Sequence, residues 1–97
     1  MIIRATDTEI SDALKTLNGW AVAEGKLHKQ YVFSDFVHAF GFMATAAIAI
    51  EKMDHHPEWL NVYNRVTVDL TSHDAGGITQ KDLKLAALLD SLAGKLQ

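Results

Sequence analysis

The sequence predicts an α+β domain in which helices cover one face of an antiparallel sheet. Three observations predict this fold class: segments with the two-residue period of strands, segments with the 3.6-residue period of helices, and an order of helix, hairpin, helix, one or two strands, and helix. The 97 residues fit a single domain, 1–97, and leave little room for a second.

The first predicted helix begins near Thr6 or Thr8, because Thr6 and Glu9 have the spacing of a capping box. An apolar stripe at i, i+4 and i+7 follows, made by Ile10, Leu14 and Leu17. Asn18 and Gly19 tolerate left-handed backbone angles, so we expect the helix to end there.

Residues 20–33 are predicted to form a β-hairpin with its turn at Glu24 and Gly25. One face of this hairpin carries Leu27, Tyr31 and Phe33. The other face carries His28, Gln30 and Val32. The alternation is that of strands with one buried and one solvated face.

Ser34 can cap a second helix, which runs to about Met53 or Asp54. One face of this helix is made by Phe36, Phe40, Met43, Ala44, Ala47 and Ile50 or Glu51. The remainder is mostly apolar too, with Val37, Phe42, Ala46, Ile48 and Ala49. A helix that is apolar nearly all round is buried on more than one side, and a chain of this length cannot easily bury both sides alone. We therefore predict a subunit interface on this helix.

Pro57 forces His56 out of the helical region of backbone angles, so the second helix has ended by then. Residues 60–71 give the clearest strand pattern, with Val66, Val68 and Leu70 alternating with Thr67, Asp69 and Thr71. The segment is long enough for two strands with a break near residues 63–64. After a loop at residues 76–77, Thr79 and Asp82 form the capping box of a last helix.

Composition excludes several classes of protein. The net charge is −3 with no run of basic residues, so we expect no direct binding to nucleic acid. The absence of cysteine excludes disulfides and thiolate chemistry. Residues 1–7 lack the apolar core of a signal peptide, and the longest apolar stretch, 40–50, is too short to span a bilayer. We predict a cytoplasmic protein that does not bind membranes.

Two polar clusters, residues 51–59 and 71–79, contain three of the five histidines. His55 lies at a helix C-terminus, where the macrodipole favours a positive charge, and Glu51 and Asp54 are close in sequence. This setting suits a general acid, although for an isolated histidine near a helix end a cap without chemistry is the more common explanation. His73 follows a strand and precedes a Gly-Gly loop, a common place for a functional side chain. Three histidines in two such clusters favour a site.

Other residues have structural explanations. Asp82 completes a capping box and could also orient a histidine, while Trp59 belongs to the core or to a pocket wall. His28 and His38 are interpreted as surface or packing residues. Zinc held by three histidines is a competing chemistry, but neither H-x-x-x-H nor H-x-H spacing occurs. A serine nucleophile lacks its G-x-S-x-G turn.

The segments Asp54-His55-His56-Pro57-Glu58-Trp59, Asn61-Val62-Tyr63-Asn64, Thr71-Ser72-His73-Asp74 and Gly77-Ile78-Thr79, with Asp82-Leu83, resemble those of the pterin-4a-carbinolamine dehydratases. The earlier stretch of Phe36 with residues 39–43 matches as well, and the likeness runs from about Trp20 to the C-terminus. The resemblance implies a four-stranded antiparallel sheet with three helices on one face, in the order α-β-β-α-β-β-α. It also implies homodimers or homotetramers formed through the sheet edge and the second helix.

The implied activity is loss of water from 4a-hydroxytetrahydrobiopterin, giving quinonoid dihydropterin for tetrahydrobiopterin recycling, without metal or cofactor. The resemblance assigns the catalytic histidines as His55, His56 and His73. We expect His55 and His73 to exchange protons with the substrate and His56 to orient it. The backbone at His55, His56 and Pro57 and at Ser72, His73, Asp74 and Ala75 would contact the pterin edge. The surrounding residues would be Glu51, Asp54, Trp59 and Asp82.

The resemblance also implies a second kind of partner. Animal members of the family act as dimerisation cofactors of a homeodomain transcription factor through the second helix, a role that would add a nuclear location. If this chain acted only as a coactivator, a charge at Phe42 or Ala46 should abolish function while His73→Ala should not. If the chain is the enzyme, His73→Ala should impair function more than a charge at Phe42 or Ala46 does.

Overall fold

The computed structural model describes residues 3–97, so the first two residues of the N-terminal segment considered above lie outside it. The helices are α1 (Asp7–Leu14), α2 (Phe36–Met53) and α3 (Gln80–Gly94), and a one-turn 3₁₀ helix covers His73–Ala75. The strands are β1 (Ala21–Ala23), β2 (Lys26–Val32), β3 (Glu58–Val62) and β4 (Arg65–Leu70). This order confirms the predicted α+β class, with three helices and a four-stranded antiparallel sheet.

The sheet has the strand order β1-β2-β4-β3, and every neighbouring pair is antiparallel. Glu24 and Gly25 both have positive φ, which suits the tight turn predicted between β1 and β2. The long strand segment is divided as predicted, because residues 63–64 form the turn between β3 and β4. On β4 the side chains of Val66, Val68 and Leu70 are buried under the helices, whereas their neighbours are less buried.

Two predicted helix boundaries are wrong. The helix α1 ends at Leu14, and residues 15–19 form turns that bury Leu17 without extending the helix. The helix α2 is capped by Asp35, whose carboxylate accepts the His38 N–H at 2.8 Å, and Ser34 does not act as the N-cap. That N–H lowers the pKa of the Asp35 carboxyl group below its ordinary value. Both Ser and Asp are good caps, so composition alone does not choose between them.

Two residues of α2 that were expected at a partner surface belong to the core. Phe42 and Ala46 are fully buried, with Ala39 and Ile50 on the same stripe, so they face the sheet and not a partner. Phe42 packs on Tyr31 and Phe33, with ring centroids 5.0 and 5.2 Å apart. The outward apolar side chains on this helix are Phe36, Val37, Phe40 and Ile48.

The length and apolar composition of α2 meet the requirements of a membrane span, so the prediction that no apolar segment is long enough is corrected. One such helix is weak evidence for insertion, because a core helix has the same properties. Here the helix contributes four buried side chains to the core that it shares with the sheet.

A polar cluster joins the end of α3 to the sheet. The carboxylate oxygen Oδ1 of Asp90 accepts hydrogen bonds from Trp20 Nε1 (2.9 Å), Lys29 Nζ (2.8 Å) and Tyr31 OH (2.5 Å). Burial, followed by the hydrogen bond to Asp90, raises the pKa of the Tyr31 hydroxyl far above its ordinary value. The cluster therefore ties α3 to β2 through a neutral tyrosine.

Candidate active site

The two polar clusters meet at one end of the sheet. The strands β3 and β4 are antiparallel with Glu58 opposite Asp69, so the residues just before β3 and just after β4 are neighbours in space. Between them lies an open pocket of about 250 Å³. It is lined by Asp54, His55, His56, Thr71, Ser72, His73, Asp74 and Lys81.

The turn that ends α2 delivers His55 to this pocket. Asp54 is the C-cap and has a left-handed φ of 52°, which redirects the chain toward β3. The His55 ring is mostly buried, and its Nε2 lies 2.5 Å from Oδ1 of the fully buried Asp82. A carboxylate at this place accepts the Nε2 hydrogen and fixes the orientation of the ring. The ring nitrogen that remains for chemistry is Nδ1.

His56 and His73 differ from His55 in exposure. His56 Nε2 lies 2.8 Å from Glu51 Oε1, and both side chains are largely exposed. The His73 side chain is 84% exposed, and its contact is an ion pair of 3.7 Å with Glu58 Oε2. The site thus combines one histidine in a fixed orientation with two at its open rim.

Glu58 connects the pocket rim to the sheet. Its Oε1 lies 2.6 Å from Lys26 Nζ, while its other oxygen lies near His73. The hydrogen bond to Glu58 raises the pKa of the exposed Lys26 ammonium group. Glu58 therefore lies between two cations when His73 is protonated.

Ser72 is buried in the loop that carries His73. Its N–H donates to Gly77 O, and its carbonyl accepts from the N–H groups of Ala75 and Gly77. Its Oγ donates to Asp82 Oδ2 at 2.8 Å. Every polar group of Ser72 therefore has a hydrogen-bond partner inside the protein, although the residue also lines the pocket.

Several residues assigned from the sequence do not line the pocket. Trp59 lies partly buried against the core, and Glu51, Pro57 and Ala75 flank the lining residues. Asp82 lies behind His55 and is fully buried.

Sequence reasoning did not assign Thr71, Lys81 or Glu58 to the site. Lys81 follows Thr79 in the first turn of α3, and the capping box that begins this helix was recognisable. Because Lys81 adjoins Asp82 in the sequence, a cation near the histidines could have been predicted.

The side chains present do not form an evident metal site. Among residues 3–97, no group of three or more His, Asp or Glu side chains is arranged to hold a metal ion. The nitrogen His55 Nε2 is directed at a carboxylate, and His56 and His73 have separate acidic partners.

Known proteins similar to this chain cover nearly all of it. A sequence model described as Pterin 4 alpha carbinolamine dehydratase matches residues 3–92. A protein of Solibacter usitatus, provisionally named a pterin-4-alpha-carbinolamine dehydratase, is 59% identical over 93 residues, which are 96% of this chain and 98% of that protein. A protein of Rhodopseudomonas palustris strain BisB18 with the same provisional name is 50% identical over 98 residues, covering 99% and 97% of the two chains.

Solved structures with a similar fold include the following two. A crystal structure of a transcriptional coactivator/pterin dehydratase from Brucella melitensis has a TM-score of 0.89 and 46% identity, and covers 94% of this chain and 99% of that one. A pterin dehydratase-like protein, described as a RuBisCO assembly factor in the α-carboxysome, has a TM-score of 0.64 and 22% identity. The match covers 77% of this chain and 87% of that one, and it shows the fold alone.

Proposed function

Because this chain belongs to the pterin 4 alpha carbinolamine dehydratase family, we propose that it removes water from 4a-hydroxytetrahydrobiopterin and so supports tetrahydrobiopterin recycling. The observation that carries the proposal is the meeting of His55, His56 and His73 at one pocket, with His55 held by the buried Asp82. The product is the quinonoid dihydropterin.

The reaction requires two proton transfers. An acid protonates the hydroxyl group on carbon 4a, the carbon–oxygen bond breaks, and water leaves with the bonding pair. A base takes a proton from a ring nitrogen, and the electrons left on that nitrogen fill the position vacated at carbon 4a. Histidine suits both steps, because its ordinary pKa is close to neutral and it can either give or take a proton.

The three histidines have different roles in this proposal. His55 and His73 exchange protons with the pterin, and His56 binds and orients it. The fixed ring of His55 supports a role in which only Nδ1 meets the substrate, while the exposed His73 can approach from the open side. The backbone of residues 55–57 and 73–75 contacts the pterin edge, since Ser72 has its own groups engaged.

The test is the dehydration of freshly generated 4a-hydroxytetrahydropterin, followed by ultraviolet absorbance with and without EDTA. We expect acceleration by the wild type that survives the chelator and falls by about 10²–10⁴-fold in His73→Ala. His38→Ala is the matched control, because His38 lies at the start of α2, outside the pocket, and its ring hydrogen-bonds to Asp35 and Ser34. It should retain the wild-type rate.

No acceleration by well-folded wild type would contradict the proposed enzyme. Acceleration that disappears with EDTA would instead indicate a metal-dependent reaction and contradict histidine acid–base catalysis.

We further propose that the chain forms homodimers or homotetramers. Two exposed apolar surfaces support this: the outward side of α2 with Phe36, Val37, Phe40 and Ile48, and the edge strand β3 with its turn, which exposes Leu60, Val62 and Tyr63. A strand at a sheet edge has unpaired backbone groups that can pair with a second chain.

A second candidate function is that of a protein-binding partner in transcription. The Brucella melitensis protein is described as both a transcriptional coactivator and a pterin dehydratase, and the outward apolar side of α2 offers a surface for such a partner. This role predicts that Phe40→Glu abolishes the partner's binding while His73→Ala leaves it intact. Binding of the partner that Phe40→Glu leaves intact would contradict a role for this side of α2.

A further inference from the structure

Two buried hydroxyl groups lead to the carboxylate that holds His55. Ser72 and Thr79 are 4% and 2% exposed, and Asp82 is 0% exposed. Ser72 Oγ lies 2.8 Å from Thr79 Oγ1 and 2.8 Å from Asp82 Oδ2. Because these three side chains are shielded from water, each depends on protein groups for its hydrogen bonds.

The number of hydrogens determines the direction of these hydrogen bonds. Ser72 has one hydroxyl hydrogen, which it donates to Asp82, because an ionised carboxylate can only accept. Thr79 must therefore donate in its contact with Ser72. Thr79 Oγ1 accepts in turn from the Lys81 N–H at 3.3 Å. The donors form one series that begins at the backbone of α3 and ends at Asp82.

Both oxygens of Asp82 are held by donors. Oδ2 accepts the Ser72 hydroxyl and, at 2.9 Å, the Thr79 N–H, while Oδ1 lies against His55 Nε2. A carboxylate fixed on one side in this way presents its other oxygen in a single direction. His55 then keeps its hydrogen on Nε2, which leaves Nδ1 as the ring nitrogen that can exchange a proton.

We propose that Ser72, supported by Thr79, is a positioning residue that acts through Asp82 to set the orientation and hydrogen location of the His55 ring. The consequence for catalysis rests on the proposed dehydratase function, whereas the state of the His55 ring is a property of the free protein. Ser72 acts in this way without a hydrogen bond to the pterin, since its side chain and backbone groups are engaged inside the protein.

The test compares Ser72→Ala, which removes the hydroxyl, with Ser72→Cys, which keeps a weak donor of similar size. We expect kcat to fall about 10-fold in Ser72→Ala with KM changed less than about 2-fold, and an intermediate fall in Ser72→Cys. In ¹⁵N spectra of the ligand-free protein, His55 should have its hydrogen on Nε2 in wild type and a mixture of ring forms in Ser72→Ala. Ser91→Ala removes an exposed hydroxyl of α3 and should change neither kcat nor the His55 spectrum.

Thr79→Ser keeps both the hydroxyl and the helix cap, so it should also behave as wild type. Wild-type kcat together with an unchanged His55 spectrum in Ser72→Ala would overturn the proposal. So would a loss of activity that follows only the unfolded fraction. If Ser72→Ala does not fold, the same two measurements on Ser72→Cys decide. If the wild type is no dehydratase, the His55 spectra alone decide, because they need no substrate.

Discussion

Asp82 has two structural roles at the same position. It completes the capping box of α3 by accepting the Thr79 N–H, and it holds His55 through its other oxygen. The capping role could be predicted from a spacing of three residues. The sequence also allowed that Asp82 could orient a histidine, but it did not identify His55 as that histidine. The two residues are 27 positions apart, and the packing of α3 beside the end of α2 brings them together.

Asp82→Asn is predicted to lower kcat by about 10–100-fold while the protein remains folded. The amide has two donors, one of which would face the His55 Nε2 hydrogen or the Ser72 hydroxyl and displace it. Steady-state kinetics and circular dichroism check this, with Asp12→Asn on the exposed face of α1 as the control. An Asp82→Asn enzyme with wild-type kcat would contradict the role given to His55.

Tyr31→Phe is predicted to change how stability depends on alkaline pH. The pKa of Tyr31 is raised in the folded protein, so its contribution is complete below the unfolded-state pKa of about 10 and decreases as pH rises above it. At neutral pH the variant should lose about 1–2 kcal/mol of unfolding free energy, because Asp90 loses one donor. The difference from wild type should shrink above about pH 10.

Urea unfolding at several pH values measures this difference. Tyr63→Phe, at an exposed turn, controls for loss of a hydroxyl. A difference between wild type and Tyr31→Phe that is the same at neutral and alkaline pH would show that the buried hydroxyl does not remain neutral.

Among the elements, the strands were predicted more reliably than the faces of α2. Alternation on β4 has a clear phase, so Val66, Val68 and Leu70 were assigned correctly to one face. The helix α2 is apolar nearly all round, so no polar stripe distinguishes its solvent side from its core side. That is why Phe42 and Ala46 were assigned to the partner side although both are fully buried.

Phe40→Glu is predicted to reduce the oligomeric state, because it places a charge in the outward apolar side of α2 where Phe40 is 56% exposed. Multi-angle light scattering should show a smaller species with an unchanged far-ultraviolet spectrum. Lys84→Glu, on the exposed surface of α3, is the control for a new negative charge. An unchanged mass for Phe40→Glu would remove α2 from the interface.

Across the whole molecule, the candidate site and the Asp90 cluster lie toward opposite ends of α3. In the first turn of α3, Lys81 lines the pocket and Asp82 holds His55 from behind. The later turns of α3 attach to β2 through Asp90. The sequence allowed both histidine clusters to be recognised because they flank strands. Glu58 and Thr71 belong to these clusters but were given no role, since their positions beside the histidines follow from the pairing of β3 with β4.

The measurement that tests the central claim most directly is the dehydration rate of wild type, His55→Ala, His73→Ala and the double variant, compared side by side. If the two histidines act as acid and base in one elimination, each single variant should lose about 10²–10⁴-fold. The double variant should then lose much less than the product of the two losses. Single variants that retain the wild-type rate, or a wild type that does not accelerate the reaction, would contradict the account.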